Sequence, residues 1–332
     1  MKDQVLVLGS FVVDLMARAP HLPVPGETVK GTRFRMGPGG KGFNQAVAAH
    51  KAGARLCFST KLGTDAFAGV ALDMMEELGM DASHVFRSDL EETGSALIMV
   101  GEDTSQNEII VVPGACDTIT EEEIQKLSCV IVNSRYLLMQ LEINQDAMLL
   151  AAEYAAKSQT KIILNPAPAA KVPDELWKHV EIAIPNEVEA AFFSGVPVRT
   201  EEDCAAAAAW FHGKGVRHVI ITLADRGAFY SGEGVQTLIP AFPVKAVDTT
   251  GAGDAFCGGF LAALAETGDI LRSIRFASAT AAISVQRIGT APAMPSREEI
   301  QAFLARGSSG SGKQTRETNR QTEKPGANFR KR

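Results

Sequence analysis

Short apolar runs that alternate with helical patterns constrain the fold of this chain more than any other feature. The runs that read as strands, each bounded by turn or charged residues, are Val5–Leu8, Leu56–Ser59, Val130–Val132, Ile162–Leu164, Ile182–Ile184 and Val219–Thr222. Stretches with helical spacing lie between them, among others Ala66–Leu78, Gln145–Ala156 and Cys204–Phe211. Because parallel strands need helical crossovers, this rhythm predicts an α/β fold: a three-layer, doubly wound, mainly parallel sheet with helices on both faces.

A glycine-lined turn in the second half of the chain indicates chemistry. The stretch Asp248-Thr249-Thr250-Gly251-Ala252-Gly253-Asp254 follows two extended runs, Val235–Ile239 and Val244–Val247, and opens a helical pattern. Small residues at a helix start let backbone N–H groups approach an anion closely, and the helix dipole favours negative charge there. A carboxylate at Asp254, beside a bound phosphate, fits a base that takes a proton from an attacking hydroxyl. An ordinary capped helix start is the alternative interpretation.

Composition narrows the class of protein. The 332 residues, 45% of them hydrophobic, can fill one large α/β domain or two ordinary ones. The five cysteines are scattered and form no C-x-x-C pair, which argues against a disulfide framework or a structural zinc site and favours a reducing, cytoplasmic location. No basic-then-apolar leader follows Met1, and no apolar run approaches the ~20 residues of a membrane helix, so no membrane partner is expected.

The net charge of −6 is unevenly distributed along the chain. Residues 306–332 contain eight Lys/Arg and two Asp/Glu, which leaves 25 Lys/Arg, 37 Asp/Glu and a net charge of −12 for the rest. An acidic body argues against nucleic acid as the main partner. Residues 307–332 are rich in polar and basic residues and lack apolar periodicity, which predicts a disordered basic tail.

Two motifs carry a resemblance to a known family. The first, Gly39-Gly40-Lys41-Gly42-Phe43-Asn44-Gln45-Ala46, has the form G-G-x-G-x-N-x-A and is followed by Gly53 and Gly63. The second, Asp248 to Gly259, has the form D-T-x-G-A-G-D-x-x-x-G-G. In this order, and about 200 residues apart, they resemble both motifs of the ribokinase/PfkB family of carbohydrate kinases. The resemblance runs from about Gln4 to Leu304.

The same resemblance accounts for two segments that break the α/β rhythm. Thr28–Met36 and Ser95–Val112 have strand-like patterns without intervening helices. In the family, segments at these places form a small β-sheet lid over the sugar, often shared between the two subunits of a homodimer. The expected organisation is a kinase domain over residues 1–306, with lid segments at about 11–38 and 91–113, followed by the tail 307–332.

The resemblance implies an ATP-dependent sugar kinase that phosphorylates the 5-hydroxyl of a pentose, with D-ribose as the expected substrate. Asp254 would be the catalytic base, and the N–H groups of Gly251, Ala252 and Gly253 would stabilise charge on the transferred phosphoryl group. Asp14 follows the first strand, where a carboxylate can accept hydrogen bonds from two neighbouring hydroxyls. The positions that match sugar-contacting residues of the family are Asp14, Gly39, Gly40, Lys41, Asn44, Glu142 and Asp254.

The nucleotide and cation sites are implied in the same way. ATP would be bound by Asn186, Thr222, Leu223, Ala224, Asp225, Arg226, Gly227 and Gly253. Asn186 and Glu189 would organise Mg²⁺ largely through water, since Mg²⁺ keeps several of its waters. A monovalent cation, expected to be K⁺, would be bound, in many cases through backbone carbonyls, at Asp248, Thr250, Ser284, Arg287, Gly289 and Ala293.

Three residues depart from the family pattern. Val12 stands where ribokinases carry an asparagine that hydrogen-bonds a ribose hydroxyl, and deoxyribokinases of the family also have an apolar residue there. An apolar residue cannot hydrogen-bond that hydroxyl, and an unpaired buried polar group costs roughly 1–3 kcal/mol. Val12 therefore leaves 2-deoxyribose, which lacks the 2-hydroxyl, open as the alternative substrate. Ala224 replaces a usual glycine of the nucleotide loop, and Cys116 replaces the asparagine of a Gly-Ala-Asn turn.

Other functions remain open at this point. Within the family, other sugar or nucleoside kinases are further alternatives. Gly37–Gly42 satisfies G-x-G-x-x-G, the pattern of an NAD(P)-dependent oxidoreductase, although the first strand ends about thirty residues earlier. A catalytically silent sugar-binding regulator of the same fold is a third class. Gly307–Lys313 spells G-x-x-x-x-G-K, but Gln314 stands where a P-loop needs Ser or Thr, so no working P-loop is expected there.

Overall fold

The computed structural model describes residues 3–103 and 106–310, and this part of the chain contains a nine-stranded and a four-stranded sheet. The strands of the large sheet are β1 (Gln4–Leu8), β4 (Arg55–Leu62), β5 (Val85–Arg87), β8 (Tyr136–Gln140), β9 (Lys161–Asn165), β10 (Val180–Ala183), β11 (His218–Thr222), β12 (Ala228–Gly232) and β13 (Val235–Ile239). The strands of the small sheet are β2 (Val12–Ala19), β3 (Arg33–Gly39), β6 (Thr93–Gly101) and β7 (Asn107–Gly114).

The helices of the described residues are α1 (Lys41–Lys51), α2 (Ala66–Glu77), α3 (Glu121–Asn133), α4 (Gln145–Ser158), α5 (Asp174–Trp177), α6 (Glu187–Ser194), α7 (Glu201–Gly213), α8 (Ala252–Thr267), α9 (Ile270–Ser284) and α10 (Arg297–Gly310). Short 3-10 turns occur at Ala115–Thr118, Ala224–Arg226 and Ala291–Ala293. None of the helices in residues 3–103 and 106–310 is both long and apolar enough to span a membrane.

The large sheet is doubly wound, with the strand order β13-β12-β11-β10-β9-β8-β1-β4-β5. All neighbours from β11 to β5 are parallel, whereas β12 and β13 form an antiparallel edge. This confirms the predicted mainly parallel α/β fold. The strand order reverses at β1, which pairs with β4 on one side and β8 on the other. Ligands of open α/β sheets bind outside the carboxyl ends of the strands at such a switch point.

Strand β1 shows why the fold has three layers. Val5 and Val7 belong to one hydrophobic core, which contains residues of α1, α2, α8 and α9. Leu6 and Leu8 belong to a second core, which contains residues of α3, α4, α6 and α7. A central parallel strand is buried on both faces and therefore reads as a continuous apolar run, which made this strand recognisable in the sequence.

The small sheet has the order β3-β2-β6-β7. Strands β3, β6 and β7 overlap the two segments that break the α/β rhythm, and β2, which precedes the first of these segments, joins them. Asp14 on β2 pairs with Gly37 and Ala96, whereas the next residue, Leu15, pairs with Met36 and Leu97. Because successive side chains of a strand point to opposite faces, the Asp14 row and the Leu15 row lie on different faces of this sheet. The lid boundaries at 11–38 and 91–113 stay predictions.

One predicted strand was wrong. Val130–Val132 lies in α3, and the strand that pairs with β1 is β8, a few residues later. The helix begins with a capping box in which Thr120 and Glu123 bond each other's backbone N–H, and it buries Ile124, Leu127 and Ile131 on one side. A three-residue apolar run is too short to distinguish a strand from the end of an amphipathic helix.

Three further expectations differ from the structure. Val244–Val247 forms no strand and instead contributes to the wall of a cavity. Gly37–Gly39 lies in β3 of the small sheet, so the dinucleotide-binding interpretation of Gly37–Gly42 was wrong. Helix α10 continues to Gly310, past the boundary expected at residue 306. The rest of the predicted tail and of the pseudo-P-loop, residues 311–332, lies outside the described residues.

Candidate active site

The turn that precedes α8 is built around Gly251. This residue has φ of 75°, in the left-handed region that favours glycine, and it occupies the N-cap of the helix. Ala252 starts the helix, so Gly253 and Asp254 lie in its first turn. Backbone N–H groups of a first turn have no acceptor within the helix and carry the positive end of its dipole. The turn is therefore suited to an anion, with a carboxylate directly beside it.

Asp254 is buried, with 7% of its surface exposed. Its Oδ1 accepts a hydrogen bond from Gln45 Nε2 at 2.9 Å, and its Oδ2 accepts one from Asn44 Nδ2 at 3.1 Å. Burial raises the pKa of Asp254, while Lys41 and the two amides act in the opposite direction. A carboxylate whose pKa is raised towards neutrality is better matched to accept a proton from a hydroxyl than an ordinary aspartate is.

Asp14 lies against Gly39 on the neighbouring strand. A Cβ at Gly39 would lie 2.3 Å from Asp14 Oδ1, so only glycine leaves room for the carboxylate. Burial, followed by the negative charges of Glu142 and Asp254, raises the pKa of Asp14 to about 6. Asp14 therefore lies close enough to Glu142 and Asp254 for their charges to act on it.

Glu142 fixes the start of α1. Its Oε2 accepts hydrogen bonds from Ser10 Oγ at 2.5 Å and from the backbone N of Lys41 at 2.9 Å, and Gly40 is the N-cap of the helix. Glu142 thus connects the end of β8, the loop after β1 and the first motif. A charged residue that follows a strand is usually a solvated one, and here it holds three segments of the site together.

Lys41 is the cationic side chain among these carboxylates. Burial acts to lower the pKa of Lys41, but the negative charges of Asp254, Glu142 and Glu189 outweigh it and the pKa is raised. Lys41 therefore keeps its proton at neutral pH. The structure brings together all of the predicted sugar-side positions around the carboxyl end of β1, namely Asp14, Gly39, Gly40, Lys41, Asn44, Glu142 and Asp254.

A cavity of about 520 Å³ lies on the other side of the turn. Its largely apolar wall comes from α8, α9 and the irregular segment after β13, and includes Phe242, Pro243, Phe256, Ala281 and Val285. Apolar walls with a few polar groups suit a flat heterocycle. Sequence reasoning missed these residues, because small and apolar side chains on helices read as ordinary core.

The predicted nucleotide loop contributes only part of its residues to this cavity. Leu223 is 2% exposed and packs in the core. Arg226 forms an ion pair with Glu187 and donates a hydrogen bond to Arg199 O at 2.6 Å. The loop residues that line the cavity are Thr222, Ala224, Asp225 and Gly227, and Gly253 of the turn lines it as well.

Two of the departures from the family pattern have a visible structural setting. Ala224 has φ of 49°, in the region that favours the glycine usual at this position. Cys116 is fully buried, and its Sγ accepts a hydrogen bond from Phe11 N at 3.3 Å. The thiol therefore supports the loop after β1 at the place where the family has an asparagine.

A second cavity, of about 160 Å³, adjoins the first and shares Thr222, Thr249, Ala252 and Gly253 with it. Its wall is polar and also contains Lys41, Asn165, Asn186, Glu189, Asp254 and Cys257. The two cavities meet at the glycine-lined turn. A molecule with a heterocycle in the larger cavity can therefore place phosphate groups in the smaller one, next to Asp254.

Asn186 and Glu189 form a capping box at the start of α6. Glu189 N donates to Asn186 Oδ1 at 2.8 Å, while the two Glu189 carboxylate oxygens accept from the Asn186 backbone N and Nδ2 at 2.8 and 2.9 Å. Burial raises the pKa of Glu189 and outweighs the opposite effects of Asn186 and Lys41. In the part of the chain that the structure describes, no three His, Cys, Asp or Glu residues group as metal ligands.

The predicted cation segments also lie together. Asp248 Oδ1 accepts from Thr250 N at 3.0 Å, and its Oδ2 accepts from Gly289 N at 3.0 Å. These bonds outweigh the effect of burial and lower the pKa of Asp248. The other predicted positions are close in sequence to Gly289: Ser284 O accepts from Arg287 N, and Arg287 Nη1 lies 3.5 Å from Ala293 O.

Sequence reasoning also missed three buried amides. Gln45, Gln140 and Asn165 are each less than a tenth exposed and form a hydrogen-bonded chain that ends on Asp254. A signal was present for Gln45, which occupies the variable position of the first motif next to Asn44. Asn165 ends strand β9, at the edge of the sheet where ligands bind.

Comparison with known proteins finds a matching family model, related sequences and a similar solved structure. The model of the pfkB family of carbohydrate kinases matches residues 2–297. The chain is 40% identical over 304 residues to a ribokinase of Haemophilus influenzae, which covers 92% of this chain and 99% of that protein. It is 34% identical over 302 residues to a deoxyribokinase of Salmonella typhi, with 91% and 98% covered. The structure is similar to that of Arabidopsis thaliana ribokinase complexed with ribose and ATP, with a TM-score of 0.85, 30% identity, and 92% and 99% of the two chains covered.

Proposed function

The chain belongs to the pfkB family of carbohydrate kinases, and we propose that it transfers the γ-phosphoryl group of ATP to the 5-hydroxyl of D-ribose. The observation that carries this proposal is the position of Asp254, between the sugar-side carboxylates and the junction of the two cavities. The similar ribokinase of Haemophilus influenzae and the ribose and ATP complex of the Arabidopsis thaliana enzyme support the choice of sugar.

The proposed reaction uses Asp254 as the base. Asp254 accepts the proton of the 5-hydroxyl, the sugar oxygen forms a bond to the γ-phosphorus, and the bond between that phosphorus and the oxygen of ADP breaks. In this proposal the N–H groups of Gly251, Ala252 and Gly253 stabilise the oxygens that gain charge during transfer. Ala252 N donates to Thr249 O at 3.2 Å in the structure and would exchange this partner for a phosphoryl oxygen. Lys41 keeps its proton beside Asp254 and adds a fixed positive charge.

Mg²⁺ fits the polar cavity as an ion held mainly by phosphate and water. Glu189 uses both carboxylate oxygens to cap α6, and metal-binding clusters of side chains are absent from the described residues. Asn186 and Glu189 would therefore hold the hydrated ion through its waters. When bound, the ion would neutralise charge on the transferred phosphoryl group.

A monovalent cation, K⁺ in this proposal, would be bound between the turn and the segment after α9. The donors there are the Asp248 carboxylate and backbone carbonyls, which are hard oxygen ligands. The full set is Asp248, Thr250, Ser284, Arg287, Gly289 and Ala293. A cation beside the anion-binding turn would add positive charge to the loop that faces the phosphates.

A 2-deoxyribose kinase is the second candidate function. Val12 is 4% exposed and lies two residues before Asp14 on β2, so it presents an apolar side chain at the sugar end of the strand. An apolar side chain cannot hydrogen-bond the 2-hydroxyl of ribose. The similarity to the deoxyribokinase of Salmonella typhi supports this candidate as well.

We also propose that the chain forms a homodimer through the small sheet. Met36, Leu15, Leu97 and Ile110 form a row across its four strands on the face opposite to Asp14. Met36, Leu97 and Ile110 are 53%, 47% and 59% exposed. A contiguous exposed apolar surface of this kind marks an interface.

We place the enzyme in the cytoplasm, which the five free cysteines support.

A sugar panel tests the proposed activity. Consumption of ATP is measured with ribose, 2-deoxyribose, fructose, a hexose phosphate and a nucleoside, and the product is identified by ³¹P NMR. Asp254→Asn serves as the matched control, since it keeps the shape of the side chain and removes the base. Phosphorylation of a pentose at O5 supports the proposal. Sugar binding without ATP consumption would indicate a silent regulator instead.

A further inference from the structure

A chain of hydrogen-bonded, buried side-chain amides ends at the Asp254 carboxylate. Gln45 is 0% exposed and lies at its centre. Its Nε2 donates to Asp254 Oδ1 and to Asn165 Oδ1, both at 2.9 Å, and its Oε1 accepts from Gln140 Nε2 at 2.7 Å. An amide NH₂ has two hydrogens, so the donor capacity of Gln45 is fully used.

The direction of this chain is determined by a backbone group. Asn165 Nδ2 donates to Ile184 O at 2.8 Å, and a carbonyl oxygen can only accept. Asn165 Oδ1 must therefore be the atom that faces Gln45, and Gln45 must donate a hydrogen bond to it from Nε2. A flipped Gln45 would place its Oε1 against two acceptors, Asn165 Oδ1 and the Asp254 carboxylate. The orientation that gives Asp254 an N–H donor is thus the one that pairs both Gln45 Nε2 and Gln45 Oε1 with complementary groups, whereas Gln140 Oε1 has no hydrogen-bond partner in the structure.

The other amide on Asp254 has a different setting. Asn44 donates to Asp254 Oδ2, but its own Oδ1 is buried and has no hydrogen-bond partner in the structure. Asn44 is also one of the positions on the sugar side, where a hydroxyl can use that oxygen. Gln45, in contrast, has all its polar atoms engaged by protein groups. Gln45 is therefore the permanent support of the carboxylate, and Asn44 is free to exchange partners when a ligand binds.

Resting on the function proposed above, we propose that Gln45 is a positioning residue of the phosphoryl transfer: it holds Oδ1 of Asp254 so that the carboxylate stays oriented towards the acceptor hydroxyl. An N–H donor also favours the ionised form of a buried carboxylate, which is the form that accepts a proton.

Several charged groups around Asp254 affect its pKa and therefore bear on any test by pH. Lys41 on α1 favours the ionised carboxylate, whereas Glu142 after β8 opposes it. The other groups that interact electrostatically with Asp254 are Asp14 on β2, Glu189 on α6 and Cys257, which lies on α8 as Asp254 does. A substitution of Gln45 leaves all five in place, so a changed titration of Asp254 reports the lost hydrogen bond.

The test compares Gln45→Met with Gln140→Met. Both replace a buried amide by a side chain of similar length, but only Gln45 touches Asp254. For Gln45→Met we expect the acidic limb of the kcat profile to move to higher pH by about 1, and the plateau of kcat to fall by about tenfold. The KM values for sugar and ATP should change by less than about threefold. Gln140→Met should leave the acidic limb in place.

A second variant and a second readout keep the test decisive. Gln45→Glu keeps the shape and places a carboxyl oxygen against Asp254, so its acidic limb should move further than that of Gln45→Met. Titration of ¹³C-labelled aspartate by NMR, with Asp254→Asn for assignment, follows the carboxyl group without any substrate. An unmoved Asp254 titration in both Gln45 variants overturns the proposal. If the unmodified protein has no kinase activity but the Asp254 titration moves in the Gln45 variants, the result counts against the proposed function and not against the role of Gln45.

Discussion

Replacing Asp14 by asparagine should make the protein more stable and less active. Burial, with Glu142 and Asp254 nearby, raises the pKa of Asp14 from 3.8 to about 6. The folded protein therefore binds this proton more tightly than the unfolded chain does. The stability that the proton contributes is complete below pH ~4 and is lost as the pH rises through about 6. Over the full range this corresponds to about 3 kcal/mol, an upper limit because the carboxylate is only partly buried.

The asparagine side chain does not ionise, so the variant should not lose stability at this position as the pH rises. Its free energy of unfolding should exceed that of the unmodified protein at pH 8 by up to ~3 kcal/mol, and the difference should shrink by about 1 kcal/mol or more at pH 5. The same substitution should lower activity. The kcat/KM for the sugar should fall ~10²-fold or more, because a neutral amide cannot accept hydrogen bonds from two hydroxyls through two equivalent oxygens.

Urea denaturation followed by circular dichroism at pH 5, 6.5 and 8 measures both quantities for each protein. Asp73→Asn is the matched control, since it makes the same substitution on the exposed side of α2. The control should show no comparable dependence on pH. A difference in unfolding free energy between the Asp14 variant and the unmodified protein that is constant from pH 5 to 8 would refute the reasoning, as would an asparagine variant less stable at pH 8.

Four other outcomes follow from the site. Asp254→Asn should lower kcat by ~10²-fold or more with sugar and ATP binding nearly intact, and calorimetry that shows lost binding with normal turnover of the bound fraction contradicts its role as base. The kcat/KM for 2-deoxyribose should lie within about tenfold of that for ribose, and Val12→Asn should shift the ratio towards ribose; a roughly thousandfold preference for ribose in the unmodified protein would show that another group satisfies the 2-hydroxyl. Replacing K⁺ by Na⁺ or tetramethylammonium at fixed ionic strength should depress the rate, and equal rates in all three salts would count against the cation site. Ile110→Lys should dissociate the dimer in sedimentation velocity, whereas an unchanged sedimentation coefficient of a dimeric protein would place the interface elsewhere.

Much of the fold could be predicted because burial leaves a direct trace in sequence. Central parallel strands such as Val5–Leu8 are apolar on both faces, and the helices between them keep their own spacing. The wrong strand at Val130–Val132 failed for a physical reason: it ends a helix whose buried side presents the same residue types. The irregular path of Val244–Val247 had no local signal, since its contacts are with distant parts of the chain.

The site was predictable where a backbone conformation or a charge requires one residue type. Gly251 needs a left-handed φ, and Gly39 makes room for Asp14, so glycines mark both halves of the site in the sequence. The larger cavity was not predictable, because apolar residues such as Phe256 and Val285 are common on any buried helix face. The amide chain on Asp254 was hidden because its members come from three separate elements and meet only in the fold.

The charges of the site explain why so many neutral dipoles surround Asp254. Asp14, Glu142, Glu189 and Asp254 interact through space, and Lys41 is the cation placed among them. Mg²⁺ and ATP together add further negative charge next to these carboxylates. Amides and backbone N–H groups can stabilise anions without adding a fixed positive charge that would bind the product phosphate too tightly. Under the proposed function, the two amides would favour the ionised form of Asp254, and the N–H groups of the turn would stabilise the phosphate beside it.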